Sequence, residues 1–372
     1  MVHRLKRSVV SPITRSASLS DTPRKAPRTA SSERPRQRAG SRDAGHPAPD
    51  AKAGGRTEVT LDQVTEIAAL YYLEQVTQEE LSRRFSMSRP TISKLLKRAR
   101  EEGIVDIRVR ARPAAAAALE KEFQHRFGIA RLLTAVDQRD QDAQRDSVAA
   151  IVAMHLDSIL QDEMIIAVGM GRNIAAIASH IGAPVTRTIT FVSAIGGSMR
   201  AGEHMSSDHI CRRLAARFGG ESETLYAPAL VADAQMRRAL MANDVVQHTL
   251  NRARRADIAL IGIGDVNEDS NMVRMGWFSP AEVAASKLAG AIGDMMGYDF
   301  ITIAGKAADV PMQGRVIGLS LDELRRIPNV IAIASESTKI VAILAALRTG
   351  TITTLATTEA NARTILELDA TA

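Results

Sequence analysis

The chain has 372 residues, of which 45% are hydrophobic, 24% charged and 3% aromatic. This length predicts two or three domain-sized units, and the composition is typical of a globular protein. No apolar run approaches the roughly 18 residues of a membrane helix, so we expect no membrane partner. The single cysteine, Cys211, excludes an internal disulfide and a cysteine-based metal cage, and it is expected to be a packed thiol in a reducing compartment.

The first 57 residues differ in composition from the rest. They carry 13 Lys and Arg against 4 Asp and Glu, a net charge of +9, which leaves −3 for the other 315 residues. They contain six of the 13 prolines and no aromatic residue, so they can bury too little apolar surface to offset the entropy of ordering. We predict a disordered basic tail over residues 1–57 that adds non-specific attraction to polyanions.

Residues 58–112 begin with two predicted helices. Apolar residues recur at helical spacing from Leu61 and stop near Gln75. Thr77 and Glu80 then match a capping box, in which each residue satisfies the other's backbone N–H. A short second helix is expected from there to about Phe85.

A third, basic helix follows. Ser88 is a good N-cap, and Pro90 is tolerated in the first turn, where no helical N–H partner is lost. Its apolar stripe, expected to pack on the first two helices, consists of Ile92, Leu95, Leu96 and Ala99. Seven basic residues and no acidic one occur in 83–100. This arrangement predicts a helix-turn-helix whose last helix enters the DNA major groove.

The exposed side of this region supplies the candidate DNA contacts. Residues in the first turns of the third helix are expected to reach base edges, namely Arg89, Thr91, Ser93 and Lys94, and the N-cap residue Ser88 is a further candidate DNA contact. Basic residues elsewhere are expected to contact phosphates, namely Lys97, Arg98 and Arg100, with Arg83 and Arg84 from the second helix. A charged face is usually only solvated, but here a capping box, a helix start and charge of one sign coincide. The alternating run "IVDIRVRAR" predicts a wing strand.

Residues 113–372 are predicted to form an α/β domain. "PAAAAALEKEFQHRFG" predicts a helix that either joins a dimer contact or packs on its own domain. Apolar β-rich runs then alternate with helical stretches, and the runs include "MIIAV", "TITFVSA", "DIALIGIG", "YDFITIAG", "RVIGLS", "NVIAIAS" and "TITTLAT". The alternation predicts a largely parallel, Rossmann-like sheet with helices on both faces. Ligands bind such sheets beyond the strand carboxyl ends, where the strand order reverses.

Glycine loops follow three of these strands, at 169–171, 196–197 and 262–264. Tight turns of this kind can aim backbone N–H groups at an anion such as phosphate, and Arg172 adds a positive charge to the first loop. Three such loops in one sheet indicate a small-molecule pocket. A dinucleotide fits worse, because Ile174 stands where G-x-G-x-x-G requires its third glycine, and no Walker A lysine pattern occurs.

Two charged residues are further candidates. Asp294, framed by Gly293 and Gly297, could accept hydrogen bonds from sugar hydroxyls or cap a turn. Lys339 begins a helix, where a cation opposes the dipole, so it either faces a bound anion such as phosphate or points to solvent. The eight histidines lack metal-ligand spacing, and no G-x-S-x-G or Ser/His/Asp signature is visible. We therefore expect no metal, no cofactor and no catalytic residue.

Together the motifs resemble the SorC family of bacterial sugar-responsive transcriptional regulators. "LYYLEQVTQEELSRRFSMSRPTISKLLKRAREEGIVDIRV" is similar to the family's helix-turn-helix. "VGMGRN", "GAIGDMMGYDF", "RVIGLSLDELRRIPNVIAIASESTKIVAILAALRTG" and "LATTEANARTIL" are similar to its effector domain, in the same order, over about residues 60–370. The resemblance implies a domain with a fold like glucosamine-6-phosphate deaminase and ribose-5-phosphate isomerase. It also implies binding of phosphorylated sugars or polyols without turnover, and tetramers built as pairs of dimers.

The same resemblance implies the effector contacts, which are Gly169, Gly171, Arg172, Asn173, Gly196, Gly197, Gly264, Asp294 and Lys339. Two features depart from the family pattern. Asn173 replaces a Thr or Ser, and "SESTK" replaces a glycine pair before the lysine. Both changes touch the expected phosphate contacts, so an unphosphorylated polyol is an alternative effector.

We therefore predict a cytoplasmic bacterial regulator of a carbohydrate or polyol catabolic operon, organised as a tail (1–57), a DNA-binding domain (58–112) and an effector domain (113–372). Its expected partners are double-stranded operator DNA, a sugar or polyol effector and further copies of itself in a dimer or tetramer. One alternative is a sugar-phosphate isomerase or deaminase-like enzyme with an appended DNA-binding domain. The other is an architectural DNA binder whose α/β domain only oligomerises.

Overall fold

The computed structural model describes residues 59–105, 113–180, 187–198, 203–268 and 270–371. The chain divides into two compact units between Leu96 and Lys97. The first unit contains α1 (Leu61–Tyr72), α2 (Gln78–Arg84) and the first part of α3 (Arg89–Glu101), which crosses the division. The three helices begin where the sequence predicts them. The predicted wing strand falls largely on residues 106–112, outside the described residues.

Side-chain caps fix the starts of these helices. Thr77 Oγ1 accepts the Glu80 N–H at 3.2 Å, and the Glu80 carboxylate accepts the Thr77 N–H at 3.3 Å, which is the predicted capping box. Ser88 Oγ accepts the Thr91 N–H at 3.3 Å at the start of α3. Ser86 has φ of 52° and makes the tight break between α2 and α3.

A small apolar core supports the first unit. Ile67, Leu81 and Ile92 are each fully buried, and Leu95 and Leu96 are 7% and 3% exposed. Burying a side chain of this size contributes roughly 1.5–3 kcal/mol relative to leaving it in water. The apolar stripe of α3 is therefore committed to packing, and its opposite side faces solvent.

The second unit contains the other helices and strands of the described chain. Its helices are α4 (Pro113–Phe127), α5 (Gln141–Ile159), α6 (Arg172–Ile177), α7 (Ser207–Phe218), α8 (Ala234–Met241), α9 (Asp244–Arg254), α10 (Asn271–Arg274), α11 (Pro280–Leu288), α12 (Leu321–Leu324), α13 (Ile340–Arg348) and α14 (Glu359–Thr371), with 3₁₀ helices at Glu203–Met205, Pro311–Arg315 and Ser337–Lys339. Its strands are β1 (Arg131–Ala135), β2 (Ile165–Val168), β3 (Ile189–Ser193), β4 (Gly220–Glu223), β5 (Ile258–Asp265), β6 (Ala291–Met295), β7 (Asp299–Thr302), β8 (Asn329–Ile333) and β9 (Thr354–Thr358).

The strands form one sheet whose main body is parallel, in the order β1-β9-β8-β5-β2-β3-β4. From β2 the chain proceeds through β3 and β4 to one edge, and it then returns to β5 on the other side of β2. The strand order therefore reverses between β2 and β5. The predicted parallel α/β sheet is confirmed for this unit.

Two segments differ from the prediction. β6 and β7 pair antiparallel with each other, and β6 pairs antiparallel with the end of β5. The run "RVIGLS" is not a strand, because Val316 and Gly318 make only isolated bridges, to Leu230 and Ile195. The segment is held by these two bridges to neighbouring loops and not by a continuous ladder of strand hydrogen bonds.

Alternation along each strand fills two apolar layers, one on each face of the sheet. In β2, Ile166 and Val168 join the layer formed with α5, α6 and α7, whereas Ala167 joins the layer formed with α9, α13 and α14. Cys211 on α7 is buried, and this burial raises the pKa of its thiol to about 12, which leaves it protonated and unreactive. Within the described ranges no helix combines the length and the apolar character needed to cross a bilayer.

Candidate functional site

A cavity of about 340 Å³ lies at the carboxyl ends of β2, β5 and β8, where the strand order reverses. Its wall is built from segments 170–174, 262–265, 294–297 and 336–339, with Gln141, Asn267, Ser270, Met272 and Arg274. Strand pairing positions these segments, since Val168 of β2 is in register with Leu260 of β5. This is the place where open parallel sheets bind ligands, and the volume suits a small polar molecule.

Glycines give this wall its shape at two positions. Gly171 has φ of +120°, a conformation that favours glycine, and it directly precedes α6. Gly264 pairs with Asp294 across β5 and β6, and a Cβ added to Gly264 would lie 2.1 Å from Asp294 Oδ2. The missing side chain at Gly264 therefore makes the space that the Asp294 carboxyl occupies.

Asp294 is a buried acid that faces the cavity. It is 4% exposed, and its Oδ1 atom is fully buried without a hydrogen-bond partner. Burial raises the pKa of Asp294 to about 7 and the charge of Asp265 adds to this, while the Lys339 cation and the Gly297 N–H act in the opposite direction. An unpaired buried oxygen is costly, so this carboxyl group is suited to a hydrogen bond with a ligand hydroxyl, which it accepts when ionised and donates when protonated.

A second group, Asn173, Glu336 and Lys339, lines the same cavity. Lys339 Nζ lies 3.2 Å from Glu336 Oε2, and Asn173 Nδ2 donates to the same oxygen at 3.0 Å. Burial alone would raise the pKa of Glu336, but the Lys339 charge and the Asn173 hydrogen bond hold it at about 2. Glu336 is therefore ionised at physiological pH, and its charge is matched by Lys339.

Neighbouring side chains fix the orientation of this group. Ser335 Oγ donates to Asn173 Oδ1 at 2.8 Å. The Asn361 amide, at the start of α14, donates to Thr357 Oγ1 at 3.2 Å and to the Ser335 carbonyl at 3.4 Å. The polar wall is thus tied to β9 and α14, which lets it present fixed donors and acceptors to a ligand.

Six of the nine candidate effector residues line the cavity, namely Gly171, Arg172, Asn173, Gly264, Asp294 and Lys339. The other three are not among its lining residues. The Gly169 N–H donates to the Leu260 carbonyl at 2.8 Å and so continues the pairing of β2 with β5. The 196–197 loop packs against a crossing segment instead, since a Cβ on Gly196 would lie 2.6 Å from the Ala227 carbonyl oxygen.

Lys339 has an ionic partner within the chain. The sequence predicts either a bound anion beside this cation or a solvent-facing side chain. The anion is a residue of the chain itself, Glu336, and the Lys339 side chain is only 16% exposed. The two departures from the family pattern, at Asn173 and in "SESTK", are in direct contact with each other through the Asn173 and Glu336 hydrogen bond.

Sequence reasoning missed Glu336, Asn267 and Arg274, which also line the cavity. Glu336 could have been found, because it follows the carboxyl end of a predicted strand and comes three residues before Lys339. Arg274 gives no such signal, since the loop and short helix after β5 position it. Across the ranges that the structure describes, no cluster of His, Cys, Asp or Glu could hold a metal ion.

The candidate DNA contacts lie on α2 and α3, and Ser88 directly precedes α3. Eight of the ten are exposed and two, Thr91 and Arg98, are partly buried; the exposed ones are Arg83, Arg84, Ser88, Arg89, Ser93, Lys94, Lys97 and Arg100. Exposed ion pairs join Lys97 to Glu101 at 3.3 Å and Arg98 to Glu102 at 2.6 Å. Pairs of this kind contribute only about 0.3–0.5 kcal/mol, so a phosphate can replace the acidic partner at little cost.

The fold and the cavity together define an α/β ligand-binding protein. Comparison with known proteins narrows the class, since residues 111–367 match the Sugar-bind family of sugar-binding domains. The transcriptional regulator LsrR of Enterobacter sp. (strain 638) is 30% identical over 315 residues, which cover 82% of this chain and 93% of that protein.

Solved structures agree with this match. The sugar-binding domain of a transcriptional repressor from Vibrio fischeri is 47% identical, covers 68% of this chain and 98% of its own, and superposes with a TM-score of 0.64. The full-length sorbitol operon regulator SorC of Klebsiella pneumoniae is 26% identical, with 82% and 98% coverage and a TM-score of 0.67. The chain belongs to the SorC family of sugar-binding transcriptional regulators, as its motifs predict, and these relatives are regulators rather than enzymes.

Proposed function

We propose that this regulator controls a carbohydrate or polyol catabolic operon, and that a sugar or polyol in the cavity between β2, β5 and β8 sets its affinity for operator DNA. The observation that carries the proposal is the buried, unpartnered Asp294 oxygen beside the Asn173, Glu336 and Lys339 network. Groups that accept and donate hydrogen bonds at fixed positions suit a ligand with several hydroxyl groups.

DNA binding is proposed for residues 58–112, as a helix-turn-helix of the winged form. In this arrangement α3 lies in the major groove, Arg89 and Lys94 reach base edges, and Lys97 and Arg98 exchange their acidic partners for phosphates. The exposed basic face of α3 and its buried apolar stripe support this assignment. The tail, residues 1–57, adds sequence-independent attraction to the same DNA.

Effector binding and assembly are proposed for residues 113–372, in a fold of the glucosamine-6-phosphate deaminase and ribose-5-phosphate isomerase type. Two half-sites of an operator require two copies of α3, so the protein acts in the cytoplasm as a dimer or tetramer. The effector binds one quaternary arrangement of the assembly more tightly than another. This shifts the population toward that arrangement and so changes the affinity for operator DNA.

A ligand screen followed by a DNA-binding titration tests the proposal. The full chain is screened by thermal shift against free and phosphorylated sugars and polyols, and each hit is then added to a fluorescence-anisotropy titration of operator DNA. We expect at least one hit to raise the melting temperature and to change the DNA affinity by about 5- to 150-fold. A protein that binds DNA but responds to no member of the panel would contradict the proposed effector control.

A further inference from the structure

In the cavity wall, the positive charge of Lys339 is neutralised by a carboxylate of the same chain, Glu336. Glu336 is 9% exposed, and both its ion pair with Lys339 and its hydrogen bond from Asn173 lie within the protein. An ammonium group attracts a phosphate most strongly when no other anion neutralises its charge. Here that ammonium group is already paired with a buried carboxylate.

The charges around the cavity come close to balancing. Among the described residues that line it, the cations are Arg172, Arg274 and Lys339 and the acids are Asp265, Asp294 and Glu336. A phosphate monoester adds about −1.5 to −2 charges at neutral pH. Because the pKa of Asp294 is about 7, these acids carry between two and three negative charges against three positive ones, so the described lining offers at most about one excess positive charge. A phosphate placed next to Glu336 would meet a like charge.

The cavity wall includes acceptor groups that a donor on the ligand can reach or complete. Asp294 Oδ1 is buried and has no partner, and the carboxylate of Glu336 is an acceptor as well. Phosphate oxygens are acceptors at neutral pH, so these atoms need the hydroxyl groups of a sugar or polyol, each of which can donate one hydrogen bond. Asn173, whose amide is held by Glu336 and Ser335, keeps a second N–H that can donate to a hydroxyl oxygen.

From this geometry we infer that the effector is an unphosphorylated sugar or polyol, recognised through hydroxyl groups that donate to Asp294 and Glu336. The inference rests on the proposed function and specifies its ligand. Glu336 acts as a specificity residue, because its carboxylate forms an ion pair with the Lys339 ammonium group and so competes with a phosphate for it.

Matched ligand pairs test this inference with the unmodified protein. Free four- to six-carbon sugars and polyols are compared with their terminal phosphate esters by isothermal titration calorimetry of the full chain, and by anisotropy on operator DNA. A free compound that binds at least about tenfold more tightly than its ester supports the inference. An ester that binds more tightly overturns it and leaves the proposed function standing. If neither set binds or changes DNA affinity, the proposed function fails as well.

A second test needs no knowledge of the effector and uses inorganic phosphate as the probe. In Glu336→Gln the Lys339 ammonium loses its counter-ion, so we expect the affinity for phosphate to rise at least about tenfold. Glu122→Gln is the control, since it removes one acidic partner of Arg126, at 2.6 Å, outside the cavity. Equal phosphate binding by the wild type and Glu336→Gln, or an equal gain in Glu122→Gln, would overturn the inference.

Discussion

Asp294→Asn should stabilise the empty protein at alkaline pH while weakening effector binding. The pKa of Asp294 is raised from 3.8 to about 7, so ionising this buried acid costs folding free energy. The native state binds the proton more tightly than the unfolded state, so the stabilisation from the protonated acid is fully present below pH 3.8. It is lost as the pH rises through 7.

The magnitude follows from the two pKa values. Relative to a neutral side chain, ionisation of Asp294 lowers the free energy of unfolding by about 1.5 kcal/mol at pH 5 and by about 4 kcal/mol at pH 8. Asn is neutral at both pH values and has nearly the same shape. The stabilisation given by Asp294→Asn should therefore grow by about 2–3 kcal/mol between pH 5 and pH 8.

Urea unfolding of the wild type and the variant at both pH values measures this difference. Protein concentration is held constant, because assembly makes stability depend on it. Asp299→Asn is the matched control: burial raises the pKa of Asp299 to about 7 as well, yet Asp299 does not line the cavity. It should give a similar pH trend without loss of effector affinity. A stability gain that is equal at pH 5 and pH 8, or a loss at pH 8, would refute the reasoning about Asp294.

The remaining predictions concern the cavity wall, α3 and the thiol. Gly264→Ala should abolish effector binding in calorimetry while DNA binding persists, because the new methyl group displaces the Asp294 carboxyl; normal effector affinity would contradict this. Lys97→Ala should lower the slope of log affinity against log salt by about one across all DNA sequences, whereas Arg89→Ala should relax preference at one base position; uniform losses with Arg89→Ala on a panel of mutated operators would refute its role. Cys211 should resist alkylation in the native protein until urea unfolds it, as followed by mass spectrometry.

Local patterns allowed much of the fold to be predicted. The caps at Thr77 and Ser88 and the apolar stripe of α3 act over a few residues, so their effect can be read from spacing alone. The parallel strands are likewise short apolar runs that end in glycine loops. Gly171 follows β2, whereas Gly264 lies within the end of β5, so the glycine loop predicted at 262–264 is part of the strand. Both glycines lie next to the point of reversal, which is why both reach the cavity.

Three features depend on tertiary contacts and could not be predicted from local sequence patterns: the position of the Gly196 loop, the strand β6 and the partner of Lys339. The loop at Gly196 has the same local pattern as the loop at Gly171, but its strand lies one position farther from the reversal and its backbone packs against residues 227–229. Gly293 interrupts the apolar sequence pattern of β6, so the strand could not be predicted from the sequence. It forms because it pairs with the end of β5. The partner of Lys339 became clear only when the loop after β8 placed Glu336 within 3.2 Å of it.

We propose that ligand binding in the cavity controls the affinity of the protein for DNA. The most direct test is an anisotropy titration of an operator recovered by selection from genomic DNA, with and without the effector, for the wild type and Lys339→Ala. Lys287→Ala, which removes an exposed lysine outside the cavity, is the matched control. We predict that all three proteins bind the operator equally without effector, and that only Lys339→Ala loses the effector-dependent change in affinity. The same effector midpoint in Lys339→Ala and in the wild type would contradict the account.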